Sequence, residues 1–123
     1  MDAGCEFDSY TADVTRTWPV SGQFSGPQKE LYTVVLDAQK AAIAACVSGN
    51  SWKTVHDEAT RVLVQGMIAL GLLDGDPDDE DAVDALIEEG VHKKYYMHGT
   101  GHWLGLDVHD AGAYNRAGKA RLL

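Results

Sequence analysis

The chain has 123 residues, 45% hydrophobic and 24% charged, enough to bury one modest core and to form one domain or part of one. Nineteen acidic residues against ten basic ones give a net charge of -9, which repels phosphate backbones and anionic lipid surfaces, so no nucleic-acid or membrane partner is expected. No apolar run approaches the roughly 20 residues of a membrane span and no signal-like stretch follows Met1, so a cytoplasmic protein is expected. Cys5 and Cys46 form no C-x-x-C pair, and both are read as reduced packing residues.

In chain order, Asp2 to Val20 mixes β-branched and aromatic residues around a polar cluster, which predicts two short strands joined by a turn. Ser25-Gly26-Pro27-Gln28 has the form of a capping box, and Leu31, Val34, Val35, Ala38, Ala42 and Ala45 follow at helical spacing up to Gly49-Asn50. Ser51 caps a second predicted helix, whose stripe from Val55 through Leu63 and Met67 to Leu70 is closed by Gly71. Asp81 to Glu89 reads as a short third helix ended by Gly90, and Trp103-Leu104 with Leu106-Asp107-Val108 suits a strand. The class is therefore α+β, with an antiparallel sheet whose strands meet across helices on one face.

If the hairpin folds about Phe7-Asp8, Asp2 stands directly opposite Asp13 on one sheet face, roughly 5 Å away at Cβ. Two ionised carboxylates at that distance repel unless one is protonated or a divalent cation lies between them. In any register that turns them outward, both simply face water.

The stretch His98-Gly99-Thr100-Gly101-His102-Trp103-Leu104-Gly105-Leu106-Asp107-Val108-His109-Asp110 carries three of the five histidines. Imidazole is the commonest metal ligand and a proton shuttle near neutral pH. On an extended chain His98 and His102 point the same way, whereas His109 needs a bend to join them, for which Gly105 is placed. The stretch is neither the H-E-x-x-H helix nor a dinucleotide fingerprint. The acidic tract from Asp74 to Asp84 lacks the Gly and Glu that a calcium loop needs, and reads as a solvated helix start. His56 and His92 have no partner pattern and read as surface or packing residues.

The thirteen residues from His98 to Asp110, the run Asp2-Ala3-Gly4-Cys5-Glu6 and the run Ala12-Asp13-Val14-Thr15-Arg16-Thr17 with Pro19-Val20 resemble the Xaa-Pro aminopeptidase family, known as aminopeptidase P, with prolidase as a close relative. The likeness covers essentially the whole chain. It implies a partial pita-bread fold and two divalent ions, typically manganese, sharing a hydroxide that attacks the bond before proline. By resemblance Asp2 binds one ion, Asp13 bridges both and His102 binds the other. His98 and His109 are then the substrate-side histidines, and the implied partner is a peptide with proline in second position.

The family's pattern continues with two glutamates beyond Leu123 and usually begins with a further amino-terminal domain. Residues 1–123 are therefore expected to be a fragment of the catalytic domain, binding metal weakly and turning over little by itself. The alternatives are a non-enzymatic pita-bread binding module, which the retained Asp2, Asp13 and His102 disfavour, and a prolidase-type dipeptidase. A creatinase-like hydrolase usually lacks the aspartate pair, and methionine aminopeptidase is not expected to carry Gly101 to Leu106 in this form. Self-association as a homo-oligomer is left open.

Overall fold

A computed structural model describes residues 1–123. The chain opens with four two-residue strands, β1 (Asp2–Ala3), β2 (Glu6–Phe7), β3 (Tyr10–Thr11) and β4 (Val14–Thr15), paired antiparallel as β1 with β4 and β2 with β3. Asp8 and Ser9 both have positive φ, 51° and 69°, as a two-residue turn matched to strand twist requires. The turn thus lies one residue later than expected. Asp2 pairs with Thr15 and Ala3 with Val14, so Asp13 falls opposite Gly4 instead of Asp2. The register differs by two residues, which preserves faces, so Asp2 and Asp13 become diagonal neighbours and their direct repulsion disappears.

Helix α1 (Gly26–Ala45) starts at the expected capping box, with Ser25 accepting from the Gln28 N–H and the Gln28 side chain accepting from the Ser25 N–H. Helix α2 (Trp52–Ala69) is capped by Ser51. Asp79 caps α3 (Glu80–Glu89), whose first turn holds Glu80 and Asp81 where the helix dipole favours negative charge. Gly90, at φ 72°, ends it and leads into a short 3-10 turn, Val91–Lys94.

The core is a helix sandwich. Ala38 of α1 meets Leu63 and Met67 of α2, and Ala42 meets Val55 and Ala59, a contact order that makes the two helices antiparallel. Val83 of α3 closes the other side of α2 against Val64 and Ile68. Helices α1 and α2 approach closely at Gly66, where an added Cβ would lie 2.3 Å from a Val34 methyl. No helix is long and apolar enough to cross a membrane.

Two expectations need correction. No strand forms between Trp103 and Val108; from Tyr95 to Tyr114 the chain runs through turns and bends. The physical reason is a fold-back at Gly105: the Asp110 N–H bonds to the Trp103 carbonyl, and the Asp110 carboxylate occupies the space a Gly105 side chain would need. Cys5 and Cys46 are both free and exposed, not packed. The chain ends in a hairpin of β5 (Asn115–Arg116) and β6 (Lys119–Ala120), after which the Leu123 N–H bonds the Asn50 carbonyl at 2.9 Å beside the α1–α2 connection.

Gly66→Ala is expected to destabilise the chain by about 1–2 kcal/mol, because crowding Val34 outweighs the roughly 1 kcal/mol helix-propensity gain. Adding Val34→Ala should relieve the clash, so chemical denaturation of the double variant must show a coupling of opposite sign to the Gly66→Ala loss.

His92 is buried with its Nδ1 unpartnered, and burial first, then the charges of Lys93 and His56, lowers its pKa below the ordinary value. The unfolded chain therefore takes up this proton first as pH falls. Its contribution to stability is full above the unfolded pKa and is lost as pH drops through the folded one. The urea midpoint of the parent should fall relative to His92→Gln between about pH 7 and about pH 5.

Candidate metal centre

The amino-terminal hairpin and the histidine segment are joined at Gly105, whose carbonyl accepts from the Thr11 N–H at 2.9 Å and from the Thr11 hydroxyl at 3.1 Å. This contact sets Asp13, two residues past Thr11, beside His102. The His102 Nε2 lies 3.0 Å from Asp13 Oδ2, and the two side chains are 28% and 26% exposed.

The other ring nitrogen of His102, Nδ1, lies 2.9 Å from the Trp103 carbonyl. A carbonyl only accepts, so Nδ1 carries a proton and Nε2 is the nitrogen aimed at the carboxylate. Both nitrogens face acceptors, which stabilises the doubly protonated ring relative to the neutral one. Its pKa is accordingly raised, chiefly by the Trp103 carbonyl; burial opposes the rise, while the hydrogen bond and charge of Asp13 and the Val108 carbonyl add to it.

The fold-back at Gly105 returns His109 to the same place, with its ring 4.1 Å from that of His102. Ligand atoms of Asp13, His102 and His109 all lie within 4.8 Å of one another. Asp2 and His98 lie outside this group: Asp2 is exposed on β1, and His98 stands edge-on to Tyr96 at 5.6 Å. The structure thus gathers three of the five site residues read from the sequence, and the bend at Gly105 joins His109 to them.

Sequence reasoning missed the role of His56. Its Nδ1 lies 2.8 Å from the Thr100 hydroxyl, a contact across 44 residues that no local spacing reveals. It also missed the setting of Trp103, whose indole N–H is buried without a partner while Arg121 lies 4.8 Å over the ring. A groove of about 640 Å³ lies between α1 and the segment after β4. Thr17, Trp18, Phe24, Leu31 and Val35 line it, and it contains no histidine or carboxylate, so the candidate chemistry resides at the Asp13–His102–His109 cluster instead.

The donor set fits a divalent cation. One carboxylate oxygen and two imidazoles suit manganese or zinc, and a histidine whose Nδ1–H is tied to a backbone carbonyl presents the bare Nε2 that a metal requires. An ion between Asp13 and His102 would replace the shared proton.

The model of metallopeptidase family M24 matches residues 1–123. The Xaa-Pro aminopeptidase of Haemophilus influenzae is 54% identical over 123 residues, which is 100% of this chain and 27% of that protein. Its Escherichia coli counterpart is 43% identical over 116 residues, 94% of this chain and 25% of that protein. Aminopeptidase PepP of Pseudomonas aeruginosa superposes with a TM-score of 0.90 at 47% identity, covering 99% of this chain and 26% of that one. Zinc-substituted E. coli aminopeptidase P in complex with product gives 0.86 at 43% identity, covering 99% and 26%. The chain spans about a quarter of the length of these relatives, and the superpositions bear out the expected partial pita-bread fold. With the family model matched from first residue to last and relatives of this identity along its whole length, the chain belongs to metallopeptidase family M24.

Proposed function

We propose that this chain supplies aspartate and histidine ligands to a two-metal aminopeptidase, most naturally loaded with manganese, that removes the first residue from peptides with proline in second position. The observation that carries the reading is the convergence of Asp13, His102 and His109 within 4.8 Å, from segments 89 residues apart at Asp13 and His102. Membership of family M24 and similarity to proteins named Xaa-Pro aminopeptidase support the substrate class.

In this reading Asp13 would be shared by the two ions, Asp2 on the same hairpin face would help hold one and His102 the other. When bound, the ions supply an acidified water and positive charge opposite the developing oxyanion. His109 and His98 would then donate hydrogen bonds to the peptide. His109 stands close enough to His102 to serve either ion or substrate.

Titration of the chain with Mn²⁺, followed by calorimetry, tests the reading. Asp13→Ala and His102→Ala are each expected to weaken uptake at least about tenfold, and parent-like affinity in both variants would overturn it. The parent with added manganese is expected to hydrolyse an Ala-Pro peptide little or not at all, because three ligands for two ions leave most of the coordination to water.

Metal uptake must displace the proton His102 shares with Asp13. Since its pKa is raised, Mn²⁺ affinity should climb as pH rises through that pKa and level off above it, by up to about tenfold per pH unit for one proton displaced. A flat profile in the parent, measured between about pH 6 and about pH 8, would contradict this.

A further inference from the structure

The turn from His98 to His102 carries two of the site histidines yet has almost no support of its own. It lies in neither helix nor strand, and none of the residues Met97 to His102 makes a backbone–backbone hydrogen bond. Gly99 and Gly101 flank Thr100 and give the backbone unusual freedom there. Something outside the turn must fix it.

Three side chains meet at the midpoint of this turn. The Thr100 hydroxyl lies 2.8 Å from Nδ1 of His56 on α2 and 2.8 Å from the Tyr96 hydroxyl. The Tyr96 and His56 rings also stack, 5.8 Å apart at an interplanar angle of 24°. Both anchors are rooted in the helix sandwich: Tyr96 packs on the Ala38–Leu63–Met67 cluster, and its N–H bonds the His92 carbonyl at 2.9 Å. One residue on, Gly101 rests against the ring of Trp52, also from α2, where a Cβ would come within 2.9 Å.

A threonine hydroxyl has one proton and two lone pairs, so it can donate to one neighbour while accepting from the other. The three groups therefore form a continuous chain of hydrogen bonds in either sense. With the Tyr96 hydroxyl donating to Thr100 and Thr100 donating to His56 Nδ1, every partner is satisfied and His56 keeps its proton on Nε2. Cooperative chains of this kind hold geometry better than isolated bonds.

We infer that Tyr96, Thr100 and His56 form a tether that clamps the His98–His102 turn to α2, making Tyr96 and His56 positioning residues for the metal centre. The inference deepens the function proposed above and rests on it only for its consequence on metal binding. The tether itself is a property of the metal-free chain.

The test compares Thr100→Val, which keeps shape and removes the hydroxyl, with Thr100→Ser, which restores it, and with Tyr96→Phe. Backbone ¹⁵N relaxation of Gly99 and Gly101 in the metal-free chain should show order parameters falling from about 0.85 to below about 0.6 in Thr100→Val, and returning in Thr100→Ser. Tyr96→Phe should fall between them. Mn²⁺ affinity should drop about tenfold in Thr100→Val and recover in Thr100→Ser, while the unfolding midpoints of α1 and α2 stay together with the parent's. Unchanged order parameters in Thr100→Val, or a serine variant as mobile as the valine one, would overturn the tether. A mobile turn with parent-like Mn²⁺ affinity would overturn the positioning role. The relaxation arm needs no metal, so a parent chain that takes up no Mn²⁺ sinks the metal reading while the tether is still decided.

Discussion

The Gly105 carbonyl, accepting two hydrogen bonds from Thr11 across 94 residues, is the joint on which the candidate centre depends. By chain-entropy scaling, closing a flexible loop of that length costs about 4 kcal/mol, whereas each hydrogen bond contributes about 1 kcal/mol net. The joint cannot hold itself shut. The intervening residues are therefore folded into α1, α2 and α3, whose buried faces shorten the effective loop before Thr11 and Gly105 meet. The antiparallel run of α1 and α2 brings the chain back along itself, and the contact of Leu123 with Asn50 ties the chain's last residue to the α1–α2 connection.

Two histidines illustrate how the surroundings divide one residue type into different tasks. Both ring nitrogens of His102 face acceptors, the Trp103 carbonyl on one side and the Asp13 carboxylate on the other, so positive charge is welcome there whether proton or metal ion. Around His92 there is burial and an unpartnered nitrogen, and the nearby charges of Lys93 and His56 make a proton still less welcome. The first is suited to hold a cation; the second packs as a neutral ring beneath the segment leading to the site.

What could be read from residues alone followed from local physics. The helices were legible because Ser25 with Gln28 and Ser51 cap the first two, Gly90 stops the third and their apolar residues recur at helical spacing. Asp2 and Asp13 were assigned to one hairpin face correctly although their pairing was two residues out, since a two-residue offset leaves faces unchanged. The non-local features were not legible. A strand at Trp103 to Val108 was a reasonable reading of β-prone residues, but the Asp110 carboxylate seated against Gly105 turns that segment back on itself. The His56–Thr100 contact and the terminal hairpin at Ala117-Gly118 likewise arise from tertiary placement or from a short turn without strand-like flanks.

The contact between Gly101 and the Trp52 ring has an optical consequence. Of three tryptophans, Trp52 touches the histidine-bearing turn and Trp103 is next to His102 in sequence, whereas Trp18 lines the groove beside α1. Indole emission is sensitive to the polarity and motion of whatever lies against the ring. The chain thus contains a native fluorescent gauge of its own histidine turn.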